Sequence, residues 1–481
     1  MAFLQAAANK GSLPTGPHEI TNSCKFERAN DESITTSNAA AGNKKTWTFS
    51  AWIKRTELGK DYHCIFGSGY TNIHFMDNDR LRAVFYDGSN SYYADTFAVF
   101  RDTSAWYHIV VSCDTTHGTR IQAVRMYING VRVSTDGTGF SNSSFNNMPQ
   151  NTDTGLGYAG SDGSERWIRL GNFFGGSEGF SGYMADVHYV NGTVRDADAF
   201  GEINDDGIWV PKKYLGDYGT QGFRYEFKDS SALGTDSGSE GHNANSYANI
   251  AAIDQATDTP TNNFCTINPL FDNNFAIFSL TEGGTRGPNT GENNGSVGTF
   301  AVDSGKWYWE GVSTSFSGTN YWKWGITRVD VAQGNSADPS TDANSAWYTG
   351  DNAFYTQTST SASSVSYNTG FTGYTAGDIW SVSLNCDVSP YQMTFRINNS
   401  VPGTANNNTN RSVGTYATAD SVMPFFMLAN TSSDNTYHNF GNPFLAALSG
   451  GNTDGNGYGD FKYAPPSGYY ALCTKNLAEY G

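Results

Sequence analysis

Acids at short spacing and aromatics set in polar loop text are the residues of this chain best suited to chemistry or to holding a ligand. The acids that come nearest to a catalytic carboxylate pair are Asp77 and Asp79 in MDNDR and Glu202, Asp205 and Asp206 in GEINDDG. Hydrolysis of a glycosidic bond by the retaining route needs two carboxyls about 5 Å apart, one to give a proton and one to attack. These acids stand among turn residues and not at alternate positions of a strand, so they read as solvated loop acids. GGNTDGNGYGD sets Asn452, Asp454, Asn456 and Asp460 at positions one, three, five and nine of a calcium-loop register, with Gly457 at six. Tyr463 stands at position twelve, where a bidentate Glu is required. A flexible Gly-Asn loop is therefore preferred, with calcium the one cofactor left as a candidate. His108 and His188 fall on predicted strands without metal-ligand spacing, no GxSxG elbow occurs, and His108 and His117 near Cys113 are neighbours in sequence only. The chain is not expected to be an enzyme.

Binding is the better prospect, because the chain is rich in aromatics. Tyr92 and Tyr93 in SNSYYAD and Trp347 and Tyr348 in NSAWYTGDN lie in turn-rich text, where a large ring has little reason to be core. Such rings stack on sugars or anchor protein interfaces. They are the candidate ligand-binding residues.

The elements that must position them are short strands. The 481 residues suit about two large domains, and 54 Gly beside 28 Tyr, 30 Phe and 11 Trp match aromatic strands separated by tight turns. A net charge of −17, from 29 basic and 46 acidic residues, argues against a nucleic-acid groove, which needs clustered cations. Six cysteines are scattered singly, so free and mostly buried thiols are expected. No stretch reaches the ~18 apolar residues of a membrane span, and the opening residues lack a basic region followed by an apolar one. No membrane insertion is expected, and folding in a cytoplasm is.

In TWTFSAWIKR, alternation puts Trp47, Phe49, Ala51 and Ile53 on one face and Thr48, Ser50, Trp52 and Lys54 on the other, a half-buried antiparallel strand. AWYHIVVSCD alternates likewise, and VRMYINGVRV turns on Asn129-Gly130, a dipeptide suited to a type I′ hairpin. With IRLGNF and FSGYMADVHYVNGTV, these texts in this order resemble the laminin-G-like, concanavalin-type jelly roll over residues 23–228. Members of that group are usually glycan or protein binders. Glycosidases among the relatives typically carry an ExDxxE-like strand, and none occurs here.

Residues 229–270 are rich in Ser, Asn, Asp, Thr and Gly and read as an irregular linker unable to form its own core. Beyond it KWYWEG, KWGIT, DIWSVSLNCD, FRINN and MPFFML followed by HNFG resemble a SPRY domain over residues 271–475, leaving a tail at 476–481. Trp307, Trp309, Trp322, Trp324 and Trp380 sit on alternating strands and are expected to pack as core. The predicted fold is all-β: two tandem concanavalin-like sandwiches with an N-terminal arm, residues 1–22.

Taken together, the two modules, the DSSALGTDS…TDTPTNNF…NPL connector and the closing PPSGYYAL tract resemble virion proteins of tailed bacteriophages, of the tail-fibre, head-fibre or decoration type. The resemblance implies a structural and adhesion protein of the virus particle, assembled in the bacterial cytoplasm. It also implies neighbouring virion proteins as partners, homo-oligomerisation with a trimer favoured, and host-surface glycan as a ligand. The arm, with Phe3 and Leu4, is the candidate docking segment. A purely architectural decoration is the first alternative and a polysaccharide depolymerase the second.

Overall fold

The computed structural model describes residues 4–5, 16, 18–37, 42–68, 70–156, 167–173, 178–270, 280–288, 294–315, 322–329, 345–349, 353–357, 367–368, 374–400, 411–412, 421–428 and 435–481. The chain divides into two compact units, Pro14–Thr261 and Asn262–Gly481 with Met1–Leu13. Each is an antiparallel β-sandwich.

In the first unit, a front sheet runs in the order Val131–Arg132, Val124–Ile128, Trp106–Asp114, Thr46–Arg55, Gly182–Asn191, Ser23–Phe26, Gln255–Ala256. The back sheet runs Phe140–Asn142, Ser91–Val99, Arg80–Tyr86, Thr71–Phe75, His63–Ser68, Trp167–Leu170, Ser33–Ser37, Ser246–Ala248. Alternation decides what enters the space between them. Trp47, Phe49, Ala51 and Ile53 meet Phe66, Ile73, Phe75, Leu81 and Phe85 in one core, with Phe49 and Phe66 rings 4.6 Å apart. Asn129 and Gly130 take φ of 47° and 79° and join 124–128 to 131–132 through a two-residue turn, the geometry that requires positive φ at both positions.

Thr48, Ser50, Trp52 and Lys54, expected on a solvent face, are all buried. Residues 192–222 lie over the front sheet and bring Ala197, Phe200, Tyr214 and Tyr218 onto Val110, Tyr127 and Val190. Thr48 Oγ1 donates to Thr193 O at 3.0 Å, and Trp209 Nε1 donates to His108 Nδ1 at 3.0 Å.

The segment expected to be a linker is largely part of this unit. Residues 246–248 pair with 33–37 at the edge of the back sheet, and 255–256 pair with 23–26 at the edge of the front sheet. Asp258 is fully buried and accepts from Lys54 Nζ at 2.7 Å and from Trp106 Nε1 at 3.0 Å. A polar stretch that cannot make its own core has instead supplied backbone to two open edges and a counter-ion to a buried lysine.

The second unit has one sheet in the order Arg286–Pro288, Asn435–Asn439, Lys306–Ser315, Ile379–Asn385, Gln392–Ile397, Arg411–Ser412. Its partner runs Asn294–Val297, Val422–Leu428, Trp322–Arg328, Ser345–Thr349, Ala353–Gln357, Tyr367–Asn368. All five tryptophans expected to be core are core, with Trp324 4.6 Å from Trp380. On the other face of strand 306–315, Phe461 packs on Tyr308, and Glu310 accepts from the backbone N–H of Lys462 at 2.8 Å and of Tyr463 at 2.9 Å.

Two boundary expectations change here. Residues 476–481 are not a free tail: the helix Thr474–Tyr480 buries Leu477 in the core, and Asn263 N donates to Thr474 Oγ1 at 3.0 Å, so the unit begins before residue 271. The arm, read as having no partner within either module, pairs Leu4–Gln5 in parallel with Phe300–Ala301 of this unit. Phe3 lies outside the described residues. All six cysteines are free and buried.

Candidate functional site

The outer face of the first unit's back sheet is where aromatic and polar side chains reach the surface together. Register sets them in rows across the strands. His74 of strand 71–75 lies opposite Arg82 of 80–86, which lies opposite Asp95 of 91–99; the next row is Asn72, Val84 and Tyr93. Alternation puts these outside because Ile73, Phe75, Leu81, Ala83 and Phe85 between them face the core.

The polar members form a support. Asp95 is buried and accepts a bidentate pair from Arg82, Nε at 2.8 Å and Nη2 at 2.7 Å, and these hydrogen bonds raise the Arg82 guanidinium further. That fixes the guanidinium plane over the Tyr93 ring, 4.9 Å from its centroid. Buried Asn72 donates to Tyr70 O at 3.3 Å, and its Oδ1 lies 2.6 Å from His74 Nδ1. Burial, with Arg82 and His63 nearby, lowers the His74 imidazole to about 3, so it is neutral across the physiological range.

Above this support lie the exposed rings. Tyr62 is 41% exposed and stacks on His74 with centroids 4.9 Å apart; Tyr70 is 51% exposed and lies 4.7 Å from half-buried Tyr86. Neighbouring strands are about 4.8 Å apart, so the face offers an aromatic and guanidinium platform long enough for roughly two or three sugar rings. Planar rings with a fixed guanidinium match the apolar face and vicinal hydroxyls of a pyranose.

Of the aromatics singled out in sequence, Tyr93 is on this platform. Both it and Tyr92 lie on strand 91–99 and are half-buried, not loop-exposed; Tyr92 faces Phe85 on the core side and its hydroxyl donates to Asp87 Oδ2 at 2.9 Å. Trp347 and Tyr348 are corrected more sharply. They belong to strand 345–349 and are 4% and 0% exposed, because the SAWYT of this text is a buried strand and not a loop. Sequence reasoning missed Tyr62, His74 and Arg82. The alternation of Arg80, Arg82, Val84 and Tyr86 against Leu81, Ala83 and Phe85 was readable, but the register that sets Arg82 between His74 and Asp95 was not.

The calcium-like register is spent on the protein's own donors. Asp454 Oδ1 accepts from Asn456 N and Tyr458 N, both at 2.9 Å, and Oδ2 accepts from Ala471 N at 3.0 Å and Asn476 Nδ2 at 2.7 Å. Asp460 accepts from Gly450 N, Gly451 N and Ser449 Oγ, and the Asn452 amide donates to Phe461 O and Lys462 O. N–H hydrogens point to where a cation would have to sit, so the four residues brace a loop.

Other titratable groups form structural knots. Asp79, expected to be solvated, is buried and accepts from Arg55 Nη2 at 3.0 Å and Arg101 Nε at 2.8 Å. Asp77, Asp205 and Asp206 are exposed, as read. His188 Nε2 lies 3.1 Å from buried Asp186, which also accepts from Arg224 Nε at 2.8 Å. Glu27 and Glu57 each lie 3.1 Å from Ser181 Oγ. Burial alone would raise Glu57, but the hydrogen bonds of His63 and Ser181 and the charges of His63 and Lys60 together outweigh it and hold the carboxyl below its ordinary range.

Residues 28–199, which contain the whole platform, match the laminin-G-type family model described as the Concanavalin A-like lectin/glucanases superfamily. The match covers most of the first unit and less than half of the chain. Similar solved structures include a putative carbohydrate binding protein from Bacteroides ovatus, at 20% identity over 38% of this chain and 47% of that one, TM-score 0.27. The SPRY domain of human HERC1 is 15% identical over 33% of this chain and 90% of that one, TM-score 0.24. Domains LG4-5 of the mouse laminin alpha1 chain are 9% identical over 88% of each chain, TM-score 0.29. The chain spans about half the length of the Bacteroides ovatus protein. No curated protein matches the sequence.

Proposed function

We propose that the protein is a non-catalytic, glycan-binding adhesin carried in several copies on a tailed-bacteriophage particle. The observation that carries the binding half is the open platform of Tyr62, Tyr70, Arg82, Tyr86 and Tyr93 on a supported sheet face, inside the span that matches a lectin-type family. One such site binds weakly, and repeated copies convert weak contacts into attachment, which favours an oligomer, a trimer by resemblance. The phage half rests on the order of modules and the connector text, with the arm around Phe3 and Leu4 as the segment that docks on neighbouring virion proteins.

The test is a glycan array probed with the full chain and with Tyr93→Ala and Arg82→Ala. Binding by the parent chain and its loss in both variants is expected. Binding unchanged in both overturns this face as the site. Mass spectrometry of purified particles from an infection that expresses the chain tests the virion assignment, and its absence from washed particles overturns it.

A further inference from the structure

Two lysines of the front sheet are buried beneath the chain that returns along its edge. Lys25 of strand 23–26 and Lys54 of strand 46–55 flank Tyr183 in one cross-strand row. Each meets an aspartate of the returning segment: Lys25 Nζ lies 2.7 Å from Asp254 Oδ1, and Lys54 Nζ lies 2.7 Å from Asp258 Oδ2. The first pair has a further carboxyl beside it, with Glu32 Oε1 3.9 Å from Lys25 Nζ. Backbone and amide donors fix both acids. Glu27 N donates to Glu32 Oε2 at 2.7 Å, Asn30 Nδ2 donates to Glu32 Oε1 at 3.0 Å, and Ala251 N donates to Asp254 Oδ2 at 2.7 Å.

Lys25, Glu32 and Asp254 are all buried, and charges held away from water are costly unless protons are shared among them. Burial raises the Glu32 carboxyl to about 8 and the charge of Asp254 adds to the rise, against the pull of Lys25, so Glu32 carries a proton at neutral pH. An amine fixed against one carboxyl, with a protonated acid at its side and water kept out, is arranged for condensation to an amide. We propose that Lys25 and Asp254 are joined by an isopeptide bond, which the folded chain makes by itself with Glu32 as proton carrier.

The step balances without a co-reactant. The Lys25 ammonium gives a proton to the Asp254 carboxylate, and the freed Nζ lone pair attacks Cγ, the carbon next to the oxygen it already touches. Glu32 gives its proton to the departing hydroxyl and takes one from Nζ. The Cγ–O bond breaks, the Nζ–Cγ bond remains, one water leaves, and Glu32 ends protonated as it began. Lys54–Asp258 is the internal reference. There the group beside the aspartate is an indole, Trp106 Nε1 at 3.0 Å from Oδ1, which donates a hydrogen bond but carries no proton from nitrogen to oxygen, and the pair stays ionic.

The bond ties the first strand of the front sheet to the last, since Cys24 and Gln255 next to it are cross-strand partners. It closes a loop over residues 25–254 of a unit that runs from Pro14 to Thr261. A pull on the two ends of the unit then passes through the bond and spares the sheets, and the unfolded chain is constrained over a long loop. The bond forms whether or not the back sheet binds a glycan.

The deciding measurement needs no variant: the intact mass of the purified full chain, taken under denaturing conditions. It should fall short of the sequence mass by one water, and a protease digest should contain a branched peptide joining Lys25 to Asp254. A chain at its full sequence mass overturns the bond. Asp254→Ala and Lys25→Ala should each restore the full mass and slow migration of the denatured chain in a gel. Glu32→Gln keeps a neutral side chain that accepts from Glu27 N but cannot relay a proton. Its cross-linked fraction should drop to less than about a tenth of the parent's, with the circular dichroism spectrum unchanged. Full cross-linking in Glu32→Gln overturns the part given to Glu32, and a branched peptide joining Lys54 to Asp258 in place of Lys25 to Asp254 overturns the assignment.

Discussion

The two outer faces of the first unit's sandwich carry the same residue types in opposite circumstances. On the front sheet Trp52, Trp106, His108, Tyr183 and Lys54 point away from the core, and all are buried. On the back sheet Tyr62, Tyr70, Arg82, Tyr86 and Tyr93 point away from the core and stay wholly or partly open. The difference is chain supply: residues 192–222 and the Asp258 segment lie over the front face and give partners to polar groups there. His108 receives Trp209 Nε1, and Lys54 receives Asp258. An aromatic and a cation on an outward strand position therefore mean packing where later chain returns over them and presentation where it does not.

Removing the covering should cost stability, and removing the presented groups should cost binding. Asp258→Ala leaves Lys54 charged and buried without its counter-ion, and should destabilise the first unit by about 3–5 kcal/mol in urea denaturation. A loss below about 1 kcal/mol would mean that the front face is less tightly closed than the burial of Lys54 requires.

The covered face of the second unit gives the next largest effect. Burial raises the Glu310 carboxyl from an ordinary 4.5 to about 7. A carboxyl raised in the folded state stabilises it when protonated. Its contribution is complete below about pH 4.5, falls as pH climbs toward 7, and is gone above. Stability should drop by about 2–3 kcal/mol across that window through this group, and Glu310→Gln should flatten the profile. A variant whose pH profile parallels the parent's would place the titration elsewhere.

Trp209→Ala takes away the half-buried ring that sits over His108 and should cost about 2 kcal/mol, with glycan binding unchanged. Binding that falls with it would show that the two faces are coupled. Smallest in energy is Tyr93→Ala, which keeps the Arg82–Asp95 pair and whose expected tenfold loss of glycan binding corresponds to about 1.4 kcal/mol, with a small change in melting temperature. A large stability loss there would make the Tyr93 ring structural and remove the main contrast between the faces.

Strand positions were largely legible because alternation is local: Trp47, Phe49, Ala51 and Ile53 declare a face within eight residues, as do the five tryptophans of the second unit. Asn129-Gly130 declares its turn for the same reason. Trp347 and Tyr348 misled because polar neighbours describe a short strand between turns as well as a loop. Asp454 and Asp460 misled because their spacing matched a metal loop while their partners, Ala471, Asn476 and Ser449, stand elsewhere in the chain.

By itself the sequence determined the all-β class, the two sandwiches, the strands and which side of most of them faces a core, since these follow from side-chain period and turn chemistry between near neighbours. The tertiary structure alone decided which outward faces are covered, that polar residues 246–258 complete two sheet edges and a buried ion pair, and that His74, Arg82 and Asp95 share a row beneath Tyr62. Those outcomes depend on register and on the return of distant chain, and neither leaves a signal in a local stretch of residues.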